Sequence, residues 1–371
     1  MKFLILDTYY SGFLRSFWNS HPGLDKQPYV IQLKALTKSC FGTSDYYSYN
    51  LRKLGYTATD IIANDEISQR RWALEHKIWV SSNNFISKLQ LLPLVHHFLG
   101  RPSWIQDIVL AQVKYYQPDV VYLQDLSILN PSTLKKIKQY GCFIVGQIAC
   151  PLPTKNHLLP LDLILTSFPH YVTKFRRMGI KSEYFRIGFE SRLVKIIEKH
   201  KRIYDVVFIG SFSPHHKEGT ELLEEIASKI PLHVWGNGLE YLSPISPLRR
   251  HYHGEAWGAD MYRILAQSKI VLNRHISVAK DYANNMRIYE TTGMGAMLIT
   301  DDKKNLSDLF KIGTELQTYK TVVELLQKIK YYLQHDDKRK TIAIAGQYRT
   351  LKDHIYQARM KELVTILQKY L

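Results

Sequence analysis

Tyr204-Asp205-Val206-Val207-Phe208-Ile209-Gly210 is a short apolar run that stops at a glycine. A run of that length, closed by a turn signal, reads as a buried strand, and the helical pattern at about 219–229 makes it the opening of a strand–helix–strand unit. Downstream, Leu232–Gly236, Lys269–Asn273 and Ala296–Thr300 are further apolar runs separated by helical or loop residues. Upstream, Met1–Leu6, Pro118–Leu123, Cys142–Gln147 and Leu161–Ser167 follow the same plan, the last leading into a basic helix. Such alternation predicts an α/β chain with parallel sheets.

At 371 residues the chain exceeds the size at which one core usually keeps growing, so two Rossmann-like domains are expected. The pattern places one at 1–185, a linker at 186–203, a second at 204–345 and a C-terminal helix at 346–371 packing back toward the first domain. Within that tail, Tyr348–Leu371 reads as the longest helix. The linker lies in a basic stretch, since His170–Arg202 holds ten Lys or Arg against three Glu.

A hydrophobic fraction of 45% and a charged fraction of 22% are those of a globular chain, and no stretch approaches the roughly 20 apolar residues needed to span a bilayer. Asp7 interrupts the first apolar run before it could act as a signal-peptide core. Cys40, Cys142 and Cys150 are odd in number and lack CxxC spacing, which suits buried thiols in a reducing compartment. A cytoplasmic protein, with peripheral attachment to a membrane as an extension, is the expectation. The net charge of +17 favours anionic partners: nucleotide phosphates, lipid head groups or nucleic acid. It leans to the first half, where residues 1–200 carry 25 basic and 14 acidic groups (+11), while 201–371 carry 25 and 19 (+6).

Ligands of open α/β sheets bind beyond the carboxyl ends of strands, so the residues just after each strand are the candidates for chemistry. Gly210 and Ser211, with His215 and Lys217, bring a glycine-started, cationic loop to the start of a helix, where backbone N–H groups and the helix dipole favour phosphate. Asn273, Arg274 and His275 follow the strand at 269–273, with Lys280, Asn284, Asn285 and Arg287 close behind. Donors at this density suit a diphosphate leaving group, whose growing negative charge must be met. Glu290 sits on a helix that ends in Gly293 and Gly295; its carboxylate could accept from a ribose diol, and the glycines could let backbone approach a ligand. A salt bridge from Glu290 to Arg287 is the competing reading. His96-His97 and His251-x-His253 lack acids at a ligand spacing, so no metal site is expected.

At these residues the chain resembles the CgeB-like (spore maturation protein) glycosyltransferases, whose pattern is Asn-x-Arg-x-x-Glu-x-x-Gly-x-Gly followed by a Leu-x-Thr-Asp strand end. Asn285-Met286-Arg287-Ile288-Tyr289-Glu290 and Leu298-Ile299-Thr300-Asp301 match it, as does Ser268–His275 and the tail from Ala345 through His354, Tyr356 and Arg359. The likeness covers most of 204–371 and is weaker in the first half, at Phe41–Asp45 and Pro118–Val120. It implies a GT-B fold, with two Rossmann-like domains facing across a cleft, the first binding acceptor and the second donor, and catalysis without a metal or other cofactor. It also implies that Glu290 holds the donor ribose and that Arg274, His275 and Arg287 contact diphosphate or sugar. Many retaining GT-B enzymes carry a second glutamate eight positions earlier, where this chain has Tyr282, so stereochemistry stays open. An inverting enzyme needs a base in its first domain, for which Asp7, Asp45, Asp125 and His170 are the ionisable candidates near strand or loop ends.

The expected function is transfer of a sugar from a nucleotide-diphosphate donor, as substrate, to a hydroxyl on a glycan, lipid-linked sugar, protein or modified DNA base. The basic first half would face an anionic acceptor, a membrane surface or DNA. The alternative is a non-catalytic nucleic-acid-binding protein on a Rossmann-like scaffold, with some of the 25 tyrosines stacking on bases.

Overall fold

A computed structural model describes residues 1–81, 101–198, 201–213, 217–283 and 285–371. The chain divides into two compact units, Met1–Phe185 with Met360–Leu371, and Arg186–Arg359.

The first unit is built on a parallel sheet ordered β2-β1-β3-β4-β5-β6. Its strands are β1 (Lys2–Asp7), β2 (Thr57–Ile62), β3 (Val120–Leu123), β4 (Phe143–Gln147), β5 (Leu163–Thr166) and β6 (Ser182–Tyr184). All four residues of β3 and of β5 are buried, as expected of central strands covered by helices on both faces. The connecting helices contribute buried faces through Phe13 and Phe17 of Ser11–Ser20, Trp104, Ile108 and Val113 of Ser103–Tyr116, and Leu134 and Ile137 of Pro131–Gln139. The end of the chain closes this unit at its β6 edge: Tyr370 Oη donates to Glu183 Oε1 at 2.6 Å and Lys181 lies over the Tyr370 ring.

The second unit repeats the plan with a parallel sheet ordered β11-β10-β9-β7-β8. The strands are β7 (Tyr204–Ile209), β8 (His233–Trp235), β9 (Ser268–Asn273), β10 (Met297–Asp301) and β11 (Gln317–Tyr319). Val206, Ile270, Leu272, Met297 and Ile299 from the sheet pack with Leu223 and Ile226 of the helix Lys217–Lys229 and Leu325 and Ile329 of the helix Val322–Gln334. Burying side chains of this size stabilises by roughly 1.5–3 kcal/mol each. The latter helix starts where its sequence says it should, because Thr321 Oγ1 accepts from the Glu324 backbone N–H at 3.2 Å while Glu324 reaches back to the Lys320 N–H.

Two glycines are fixed by close approach. A Cβ on Gly236 would stand 1.6 Å from the Gly210 carbonyl oxygen, and one on Gly238 would stand 2.0 Å from that of Phe212. The turns after β7 and β8 therefore pack backbone to backbone, which shapes the mouth of the sheet.

The tail differs from the reading of one long helix from Tyr348. Helices run over Asp336–Asp353 and Tyr356–Leu367, with the longer one first. The break at His354–Ile355 has a partner: the Phe189 N–H donates to the His354 carbonyl at 2.8 Å and the Tyr356 N–H to the Phe189 carbonyl at 3.0 Å. A short parallel bridge there takes backbone groups that a continuous helix would have kept. Among the described residues no helix is long and apolar enough to cross a membrane.

Candidate functional site

Both sheets share one topology at their centres. In each, the first strand lies between the second and the third, so chain connections leave in opposite directions from a point between the first and third strands. Such a reversal opens a crevice at the carboxyl ends, where open α/β sheets take ligands.

In the second unit that point lies between β7 and β9, and a cavity of about 360 Å³ stands there. Ser211 comes from the turn after β7, Lys217, Gly219 and Thr220 from the start of the following helix, and Arg274 and His275 from the end of β9. A thirteen-residue helix presents its N-terminal N–H groups and positive dipole end to this space. Arg274 is held at the rim by Glu218, whose carbonyl accepts at 3.1 Å and whose carboxylate accepts at 3.0 Å. Gly219 lies beside the Arg274 side chain, from which a Cβ there would stand at an ordinary contact distance of 3.5 Å. Lys217 is largely exposed and stands 4.0 Å from Glu221.

His275 is fixed from behind. Its Nδ1 lies 2.6 Å from Asp301 Oδ1, which also accepts its backbone N–H at 3.1 Å. The side chain is only 1% exposed, and Nε2 has no hydrogen-bond partner. Lys303 Nζ stands 3.3 Å from the other Asp301 oxygen. Burial acts against the Asp301 charge, yet the hydrogen bond and charge of His275, together with Lys303, hold its carboxyl down at about 2.

Asn273 and Asn285 tie the strand ends together. Asn273 Nδ2 donates to Thr300 Oγ1 at 2.8 Å, and Asn285 Nδ2 donates to Asn273 Oδ1 at 2.6 Å, leaving the buried Asn285 Oδ1 unpartnered. Glu290 is 5% exposed on the helix Met286–Gly293. Its Oε2 pairs with Arg287 at 2.9 Å and its Oε1 accepts from Tyr262 Oη at 3.3 Å. The salt bridge read as the competing role of Glu290 is therefore present, although each carboxylate oxygen keeps a second acceptor position. The space beside Gly293 is filled by the Phe189 ring, 2.7 Å from a Cβ there, and Gly295 makes room at φ +72° for Gln347 and Arg202. Those two glycines accommodate protein, a correction to the expectation that they open the backbone to a ligand. Lys280 is exposed, with its carbonyl accepting from Lys303 at 2.6 Å. His215 and Asn284 lie outside the described residues.

In the first unit the reversal lies between β1 and β3, and it brings together Asp7 and Asp125. Asp7 Oδ1 accepts from the Thr8 N–H at 2.7 Å, and Oδ2 lies 2.9 Å from Thr43 Oγ1, which is also 2.8 Å from Gln124 Oε1. Thr43 has one hydroxyl proton, so the second contact requires a proton on Asp7 or the amide nitrogen of Gln124 turned toward it. Burial pushes the Asp7 carboxyl up to about 6; the hydrogen bonds from Thr8 and Thr43 oppose this and the charge of Asp125 adds to it. Asp125 accepts from Ser127 Oγ at 2.7 Å and from Arg101 at 3.3 Å. The loop that carries Thr43 takes left-handed backbone at Cys40, Gly42 and Ser44. Positive φ at two non-glycine residues costs roughly 1–2 kcal/mol each, which marks this loop as strained.

The other two base candidates stand apart in environment. Asp45 occupies the N-cap position of the helix Tyr46–Lys53 without a side-chain capping bond. His170 lies on the helix Pro169–Arg177, its ring stacked on Phe168 and edge-on to Tyr171. His251 and His253 join His233 in a ring cluster, with His233 Nδ1 2.9 Å from His253 Nε2. His96 and His97 lie outside the described residues. Among the described residues no three His, Cys, Asp or Glu are grouped so as to hold a metal ion. Asp301, Thr43, Gln124 and Arg101 were not singled out by sequence reasoning, although Asp301 closes the Leu-x-Thr-Asp strand end.

The sequence model of the glycosyl transferase-like family matches residues 217–365. Most of that matched stretch lies in the second unit. Solved structures share the whole fold. The Anabaena HepE crystal structure in complex with UDP-glucose matches with a TM-score of 0.62 at 13% identity over 100% of both chains. A sucrose-phosphate synthase from Thermosynechococcus elongatus matches with a TM-score of 0.62 at 12% identity over 100% of this chain and 98% of that one. A glycosyltransferase from Rickettsia africae matches at 0.56 and 13% over the same shares. The architecture is that of the GT-B glycosyltransferases, with two parallel-sheet Rossmann-like domains. No curated protein sequence matches the chain.

Proposed function

We propose that the protein is a nucleotide-sugar-dependent glycosyltransferase whose donor diphosphate sits at the β7/β9 reversal of the second unit. The observation that carries this reading is the cavity itself. It joins a helix N-terminus, Lys217, Arg274 and His275 inside the segment that matches the glycosyl transferase-like family. Cationic groups fixed before the reaction stabilise the negative charge that grows on a departing diphosphate. Ser211 lines the same space, while Gly210 packs against the turn after β8, its N–H donating to the Trp235 carbonyl at 3.0 Å. Glu290, oriented by Tyr262 and Arg287, is assigned to the ribose hydroxyls, in keeping with the resemblance to CgeB-like enzymes at Asn285–Glu290. HepE binds UDP-glucose, which makes a uridine nucleotide the first donor to try.

The acceptor is a hydroxyl compound, and Asp7 is the preferred proton acceptor among the four candidates. It combines a place at the β1/β3 reversal, a proton-sharing contact with Thr43 and a carboxyl pushed up to about 6. A base is most effective when its pKa lies near the working pH. The net charge of +17 supports peripheral attachment to anionic membrane, or an anionic or DNA acceptor.

The test is a transfer assay with a panel of nucleotide sugars and hydroxyl acceptors, following nucleoside diphosphate release. The reading expects release that depends on both substrates and is lost in Arg274→Ala. Absence of turnover and of binding with every nucleotide sugar would overturn it.

A further inference from the structure

Three neighbouring strands of the first unit end level with one another. Leu6 of β1 stands opposite Leu123 of β3, and Leu123 opposite Gly146 of β4. The residues that follow are Asp7, Gln124 and Gln147, which therefore stand side by side in a row about 10 Å long at the usual strand spacing. Their side chains reach the same loop and helix. Thr43 Oγ1 lies 2.9 Å from Asp7 Oδ2 and 2.8 Å from Gln124 Oε1, and Tyr47, four residues on, donates to Gln147 Oε1 at 2.8 Å. Tyr122 Oη donates to that same oxygen at 2.6 Å. With Oε1 turned to two phenols, the amide of half-buried Gln147 keeps Nε2 as a donor that this network does not use.

The row thus has a carboxylate acceptor at one end, an amide donor at the other and no cation of its own. Arg101 is taken up by Asp125 and by the Ser127 hydroxyl and carbonyl. Such a row matches a ligand whose polar groups each give and take a hydrogen bond, which is the property of a sugar hydroxyl. It is a poor match for a phosphate, whose oxygens accept and whose charge the Asp7 carboxylate repels. Tyr10 adds apolar surface close by: it is 57% exposed, with its ring edge-on to Phe41, two residues from Thr43. Asn64 fixes the backbone before it, accepting from the Tyr9 N–H at 2.9 Å and donating to the Tyr9 carbonyl at 2.7 Å. An aromatic ring on a fixed backbone suits the C–H face of a sugar.

We infer that the acceptor is an uncharged sugar lying along this row, with its reacting hydroxyl on Asp7 and a second hydroxyl held by Gln147 Nε2, which makes Gln147 a specificity-determining residue. This deepens the reading of Asp7 as the proton acceptor and rests on it. As the acceptor oxygen bonds to the anomeric carbon of the donor sugar, its proton passes to Asp7. The bond from that carbon to the diphosphate breaks, and its electron pair leaves with the diphosphate. Gln147 keeps its protons throughout and holds the acceptor in register.

The experiment measures transfer by the full-length protein from UDP-glucose, or from ADP-glucose or GDP-mannose if UDP-glucose does not bind. The acceptors are an array of uncharged oligosaccharides, the same oligosaccharides phosphorylated on the terminal ring, and duplex DNA containing 5-hydroxymethylcytosine. Transfer to uncharged oligosaccharides is expected, with kcat/KM for the phosphorylated forms lower by about tenfold or more. Gln147→Glu still offers an oxygen to Tyr47 and Tyr122 but replaces the donor with an acceptor. Its KM for the acceptor should rise by about tenfold or more, with kcat and donor Kd little changed. Preference for the phosphorylated forms or for DNA, an unchanged acceptor KM in Gln147→Glu, or donor binding without transfer to any uncharged oligosaccharide would overturn the inference and leave the donor site intact. Undiminished transfer in Asp7→Asn would overturn the base reading and this inference with it. Failure of all three nucleotide sugars to bind would overturn the glycosyltransferase reading itself.

Discussion

The β1/β3 reversal of the first unit and the β7/β9 reversal of the second are the same topological device lined with opposite chemistry. The first gathers Asp7 and Asp125, and their oxygens are occupied by Thr8, Thr43, Ser127 and Arg101. The second gathers Lys217, Arg274 and a helix N-terminus around a cavity and leaves His275 Nε2 without a partner. A carboxylate network whose own protons are in short supply is suited to taking a proton from a hydroxyl. A cationic space at a helix N-terminus is suited to taking an anion, because its fixed positive charges and backbone N–H groups meet the ligand's negative charge. Topology thus places both sites, and side-chain polarity divides the work between them.

The sharpest way to break the comparison is Asp7→Asn. Removal of a general base typically costs 10²–10⁴-fold, so the transfer rate should fall by roughly that factor while donor affinity stays as in the wild type. A rate unchanged by the substitution would return the base role to Asp45, Asp125 or His170. Donor-side substitutions come next. Glu290→Ala should weaken nucleotide-sugar binding about a hundredfold or more, since two charge-assisted hydrogen bonds at about 1.5–3 kcal/mol each are removed; the readout is Kd by titration, with acceptor KM as the control. Unchanged Kd together with a lowered unfolding temperature would leave Glu290 with only its Arg287 salt bridge.

The pH dependence of stability sharpens the contrast further. The Asp7 carboxyl titrates at about 6 in the folded chain, above its unfolded value of about 4. The unfolded state therefore ionises first, and stability falls as pH rises from about 4 to about 6, by on the order of 3 kcal/mol. Asp7→Asn should be the more stable protein at neutral pH, measured by denaturant unfolding. Asp301 has the opposite sign: its carboxyl is held at about 2, so its contribution is complete above about 4 and is lost as pH falls toward 2. The smallest effect is expected of Lys217→Ala, whose side chain is 81% exposed. Its loss should weaken donor binding only a few-fold, with the difference shrinking as salt is raised.

The strands that the sequence made legible are those whose burial leaves an apolar run. Val120–Leu123, Leu163–Thr166, Tyr204–Ile209 and Met297–Asp301 belong to this class. Thr57–Ile62 was missed because it carries Asp60, a buried carboxyl bonded to the Ser48 hydroxyl, which interrupts the pattern. Ser182–Tyr184 and Gln317–Tyr319 are three-residue edge strands too short to show a period. The donor-side cations could be read because they directly follow strands. The role of Asp301 could not, because it depends on neighbouring strands β9 and β10 ending level, with Asn273 opposite Thr300, so that His275 meets Asp301. The part played by Thr43 depends likewise on a left-handed loop that returns to the end of β1.

The central claim is that the second reversal binds a nucleotide sugar through Arg274 and its neighbours. Its most direct test is the unfolding temperature of the wild type and of Arg274→Ala across a concentration series of UDP-glucose, ADP-glucose and GDP-mannose. A ligand that binds only the folded state raises stability with the logarithm of its concentration above Kd. The account predicts such a rise with one of them in the wild type and a much smaller one in Arg274→Ala. An equal rise in both proteins would place the nucleotide elsewhere, and no rise with any of the three would contradict the claim.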